Sequence, residues 1–180
     1  MLARLFGRSR HEETAARRYG AIVARARAPV FYARLGVADS LDGRFDMITL
    51  HTFIVLHRLK ATEGTGKLAQ ALFDFMFGDM DRSLREIGVG DLSVGKRVKQ
   101  MVAAFYGRVS AYQDGLEGGP EALAEALQRN LYRGDPRPAD DLAAMAAYVG
   151  ACVATLAACD ITDLTEKASV VFADLPSELP

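Results

Sequence analysis

The 180-residue chain has no tryptophan, only two cysteines and only three histidines. Two cysteines cannot build a disulfide scaffold. Cys152 and Cys159 fall on one helical face about 10.5 Å apart along the axis, beyond direct bridging. They read as small packing residues of a protein from a reducing compartment. So few histidines leave little for a His-rich metal site. His51 and His57 lie roughly 240° apart around a helix and cannot chelate one ion from it; core or interface positions suit them better. No Gly-x-Ser-x-Gly elbow and no Cys/His catalytic pattern occurs, and nothing in the residues points to an enzyme, a metal or a cofactor. Asp74, Asp79 and Asp81 lack the further His or Glu partners of a di-metal site and read as solvated acids.

Charge of either sign is also scarce in the total, which is −1, so the chain as a whole does not look like a nucleic-acid binder. The total hides an asymmetry. Residues 1–38 hold eight arginines against Glu12 and Glu13, a net of +6, and the remainder carries −7. Two readings of the basic head stand: a soluble amphipathic helix, or a contact with a membrane or nucleic acid. Within the head, Arg4, Phe6, Arg8 and Arg10 are candidates for membrane contact, though so short an anchor binds weakly and reversibly. No secretory signal is present, because no apolar core follows the first arginines.

The one long uncharged run, Leu142 to Cys159, covers 18 positions, the lower limit for a membrane span. Eight of them are alanine, and Leu142, Met145, Val149, Cys152, Val153 and Leu156 form one stripe. With acidic flanks, this is the pattern of a soluble amphipathic helix.

Helical periodicity dominates what is there. Ala15, Tyr19, Ile22, Val23 and Ala26 recur at three and four, and Pro29 ends that run and opens a short helix to Leu35. Asp42-Gly43 reads as a turn. Phe45 to Lys60 is apolar nearly all round, as a central helix would be. Leu68 to Ile87 shows one apolar face, with Gly78 as a point of bending. Val94, Val98, Met101, Val102, Phe105, Val109 and Tyr112 make the cleanest stripe. Pro120 and Pro138 each start a further helix. Ser169 to Phe172 reads as a short extended piece. The expectation is an all-α, single-domain, compact bundle of about seven helices with mixed packing angles. Residues 1–13 form a basic arm, 14–160 the helical domain and 161–180 a partly irregular extension.

Gly90 to Arg97 resembles a phosphate-cradling loop, but Arg97 stands where Ser or Thr should hold magnesium, and a helix precedes it where a strand should. Nucleotide binding is therefore set aside.

Leu41-Asp-Gly-Arg-Phe-Asp46, followed by Leu50-His51 and Phe53, is similar to a stretch of the ubiquinol–cytochrome c chaperone family. So are Leu72-Phe73 with Asp79 to Arg85, Gly88 to Asp91 leading into Val98-Lys99 and Phe105-Tyr106, and Leu123 to Leu127 through Leu131-Tyr132 and Tyr148-Val149. The order of these segments, over roughly residues 20–150, carries the resemblance. It implies an all-helical, non-enzymatic assembly factor for respiratory complex III, without cofactor, that receives newly made cytochrome b. A second small chaperone is a possible partner. The absence of a long leader before the family region suggests a bacterial member at the cytoplasmic side of the inner membrane. A mitochondrial protein on the matrix side is the alternative.

A chaperone for apolar membrane helices needs an exposed apolar groove. Phe73, Phe75, Phe77 and Met80 are the groove candidates; Phe75 is the odd one out, either exposed or packed on a neighbouring helix. Arg82, Arg85, Lys96, Arg97, Lys99 and Arg108 form a candidate basic face for client or membrane, or else a solvated surface. The competing function is a membrane-associated helical protein that binds a lipid or quinone in an apolar pocket.

Overall fold

The computed structural model describes residues 10–167 and 169–174. Among them the chain forms eight helical segments and no strand: α1 (Arg10–Ala26), α2 (Pro29–Ala33), α3 (Leu41–Lys60), α4 (Gly66–Glu86), α5 (Asp91–Gly118), α6 (Pro120–Asn130), α7 (Ala139–Ala158) and α8 (Ile161–Thr165). The all-helical domain expected from periodicity is the one observed.

α3 is the axis of the fold. Phe45, Met47, Ile48, Leu50, Phe53, Ile54, Val55 and Leu59 are all buried on it. Those residues point in every direction around the helix, so partners must cover every side. α1, α4, α5 and α7 do so. The helix starts earlier than its sequence suggests. The Ser40 side chain accepts a hydrogen bond from the Gly43 backbone N–H at 3.1 Å, which caps the first turn. Asp42-Gly43 is therefore the opening of α3 and not a turn. Gly78 does not interrupt α4, which runs through it; an isolated glycine costs about 1 kcal/mol, less than the packing of Met76, Phe77 and Met80 supplies.

α5 and α6 form a tight hairpin. Gly119, at φ +94°, turns the chain in a region that side chains avoid. At Gly115 a Cβ would stand 2.9 Å from the Leu123 Cα, so only glycine permits this approach. α7 is long and apolar enough to cross a membrane by length and composition. Its large residues Met145, Tyr148, Val149, Cys152 and Leu156 are nevertheless buried, against α3 and α6.

After α8, residues 169–174 have no regular structure. They lie over the core, with the Phe172 ring edge-on to His51 at 5.1 Å. The extended piece expected here forms no ladder. It is a strap.

Candidate functional site: an aromatic groove

The second half of α3, the first half of α4 and the middle of α5 enclose an open groove of about 560 Å³, within the ~300–1,000 Å³ typical of ligand sites. Phe53 and Phe105 form its floor and are 1% exposed. Phe73 and Tyr106 build a wall, their rings 5.6 Å apart. Phe73 also stacks on Phe77 at 4.6 Å and meets Phe105 edge-on at 5.6 Å. Such offset contacts fix ring positions, so the wall is preformed. The groove stays open because Gly66, Ala69 and Ser110 line it where larger side chains would fill it.

Polar groups are confined to the rim. The His57 Nδ1 and the Gln113 Oε1 share a hydrogen bond of 2.9 Å, with the ring nitrogen donating, and the Gln113 amide donates to the Glu117 carboxylate at 2.6 Å. Lys60 is exposed at the same end. The arrangement offers apolar aromatic surface with a polar edge.

The sequence-predicted groove residues are divided by the structure. Phe73 lines the groove. Phe77 and Met80 are buried beneath the surface, each 7% exposed. Phe75 is half-buried and packs against the core. Tyr106, 58% exposed, is the principal groove residue that the periodicity did not single out. Its signal was indirect: a large aromatic ring just off the clean α5 stripe. Val98, Met101, Val102 and Val109 gave the other sign, since that stripe is only half-buried. α5 carries more apolar width than its neighbours cover.

The basic face is divided too. Arg82, Lys96, Arg97 and Lys99 are exposed. Arg85 is occupied: its guanidinium pairs with Asp81 at 2.7 Å and also with Asp91. Arg108 turns inward, 2.9 Å from the buried Asp46 carboxylate. Arg133 donates to the other Asp46 oxygen at 2.7 Å and to Asp42 at 2.9 Å. Arg133 sits at φ +56°, a region rare for non-glycine residues, and the two carboxylates hold it there. Burial pushes the Asp46 carboxyl above its ordinary range, against the opposing pull of Arg133 and Arg108. Of the N-terminal candidates, Arg4, Phe6 and Arg8 lie outside the described residues, and Arg10 opens α1.

A second polar centre is sealed within the core. The Arg25 Nε donates to the Tyr148 hydroxyl at 2.9 Å, which donates to the His51 Nε2 at 2.8 Å. The His51 Nδ1 then donates to the Met47 carbonyl at 2.8 Å. The Arg25 Nη2 also donates to the Ala173 carbonyl of the strap. Burial pushes the His51 pKa down to about 4, with the Arg25 charge adding to it. A neutral, fully bonded imidazole of this kind orders the core. Among the described residues no group of three metal-ligating side chains gathers.

The helical domain thus carries a preformed, open, aromatic-walled groove within the size range of ligand sites. The chain belongs to the ubiquinol-cytochrome C chaperone family, which matches residues 33–172. It is 27% identical over 165 residues to the ubiquinol-cytochrome-c reductase complex assembly factor 1 of Xenopus laevis, covering 89% of this chain and 81% of that protein. The corresponding Mus musculus factor is 28% identical over 127 residues, covering 68% of this chain. This chain spans only 43% of that mouse protein. The crystal structure of the Cbp3 homolog from Brucella abortus superposes with a TM-score of 0.81 at 39% identity, over 92% of each chain.

Proposed function

We propose that this protein is a non-enzymatic chaperone that holds apolar segments of newly made cytochrome b in the α3–α4–α5 groove and so promotes assembly of ubiquinol–cytochrome c reductase. The observation that carries the reading is the open wall of Phe73 and Tyr106 over a floor of Phe53 and Phe105. An unassembled membrane helix presents apolar side chains that water penalises by about 25 cal/mol per Å². A rigid aromatic surface shields them at little entropic cost to itself. The groove's openness suits a chain segment better than an enclosed quinone or lipid. Family membership and the assembly-factor names of the relatives support the complex III role. The place of work that fits is the cytoplasmic face of a bacterial inner membrane. The helical domain of residues 14–160 holds the whole groove.

A photo-reactive amino acid placed at Tyr106 in living cells tests the reading, with one at the exposed α7 residue Ala147 as control. A cytochrome b adduct is expected from position 106 alone, and assembled complex III should fall when the gene is deleted. Normal complex III in the deletion strain, or equal adducts from both positions, would overturn it.

A further inference from the structure

The corner between α4 and α5 exposes apolar side chains that no packing explains. Ile87, at the end of α4, is 59% exposed, and Leu92, in the first turn of α5, is 101% exposed. Only residues 87–90 separate the two helices, so Ile87 and Leu92 lie at the same tip. Exposed leucines scattered singly need no explanation; two at the apex of a helical hairpin, backed by cations, form a pattern. Lys96 and Lys99 share the outward face of α5 with Leu92, about 6 and 10 Å behind it along the axis. Both are exposed, as is Arg82 on α4.

The acids of the corner are largely answered from within. Arg85 pairs with Asp81 and Asp91, which leaves Glu86 as the acid without an ion pair. Residues 81–100 hold five basic and three acidic residues, a net of +2 in a chain whose total is −1. The corner is therefore an apolar point beside a local excess of positive charge, separate in the sequence from the basic N-terminal head.

We propose that the α4–α5 corner docks the protein on an anionic lipid bilayer, Ile87 and Leu92 entering the acyl boundary while Lys96, Lys99 and Arg82 meet lipid phosphates. Charge complementarity selects this occupant. An apolar protein partner would need no collar of cations, and an acidic partner would gain nothing from a fully exposed leucine at the apex. Peripheral attachment takes two weak signals acting together, and the corner supplies both. Lysine stems are long enough to lie along the apolar tip while their ammonium groups stay in the headgroup layer. This site is separate from the groove, on the N-terminal half of α5, and it does not depend on the N-terminal arm.

The lack of tryptophan makes the test direct. The full chain carrying Leu92→Trp has one indole, at the tip. With vesicles of phosphatidylcholine containing about 30 mol% phosphatidylglycerol, its emission should shift to the blue. With phosphatidylcholine alone it should not, and a chain carrying Ala147→Trp should stay unchanged with either. In co-sedimentation of the tryptophan-free protein, Ile87→Ser with Leu92→Ser, or Lys96→Gln with Lys99→Gln, should each lower partition onto the anionic vesicles roughly tenfold. No spectral shift at position 92, or wild-type partition in both double variants, would overturn the proposal. So would binding that disappears only when residues 1–9 are removed. Complex III abundance and cytochrome b adducts report on the groove independently, so failure at the corner leaves that reading untouched.

Discussion

Replacing Asp46 with alanine should be among the most destabilising single changes in the molecule. Its carboxylate is 0% exposed and lies on the helix that every major neighbour touches. Arg108 is 13% exposed and Arg133 is 45% exposed, so their losses differ. Arg133 regains water on one side and forfeits about 1 kcal/mol. Arg108 keeps a buried charge with no counter-charge, which costs about 3 kcal/mol or more. The expected loss for Asp46→Ala is therefore about 3–5 kcal/mol. With a urea slope of ~2 kcal/mol per M, the midpoint should fall by roughly 1.5–2.5 M. The assay is urea unfolding followed by helical circular dichroism on Asp46→Ala, Arg108→Met and the double variant. Because the pair acts as a unit, the double variant should lie well above the sum of the singles, with a coupling of about 2 kcal/mol. An Asp46→Ala loss below about 1 kcal/mol, or additive singles, would show that the ion pair does not hold α3 to α5 and the α6–α7 loop.

Stability should fall on mild acidification through His51. Its pKa is lowered from 6.5 to about 4, so its contribution is intact above pH 6.5 and is lost as the pH falls toward 4. That amounts to at most about 3 kcal/mol. Asp46, whose pKa burial raises, contributes in the opposite sense, so the measurement is the difference in urea stability between the wild type and His51→Gln at pH 7 and pH 5; a constant difference would refute the assignment. The Arg18 side chain is 0% exposed and its guanidinium nitrogens meet no acceptor among the described residues, with burial and then Arg17 lowering its pKa to about 10. Arg18→Met should therefore stabilise the fold by about 1–2 kcal/mol and raise the Tm in calorimetry. A loss of similar size would mean the charge is compensated.

The helices were legible because apolar spacing, proline and glycine act locally. Pro29, Pro120 and Pro138 each opened the helix expected of them. The groove was less legible, because a stripe such as Val94 to Tyr112 reveals that α5 is buried along one face but not how much of that face its neighbours reach. Phe77 and Met80 were drawn into the core by the same periodicity that suggested exposure for their neighbours. Arg108 looked like part of a basic surface since its counter-charge, Asp46, lies 62 residues earlier in the sequence. Its other partner's link, between Asp46 and Arg133, spans 87 residues. Pairings of that range follow from tertiary packing, which no local window contains.

The bond from Arg25 to the Ala173 carbonyl joins residues 148 positions apart. During synthesis α1 leaves the ribosome long before the strap exists. Arg25, Tyr148 and His51 can therefore form their chain of hydrogen bonds only once α7 has emerged, and Arg25 acquires its carbonyl partner only after α8. The groove-forming helices α3, α4 and α5 are complete well before that point. The helices that form the groove are thus synthesised first, and the contact that ties α1 to the strap is made last.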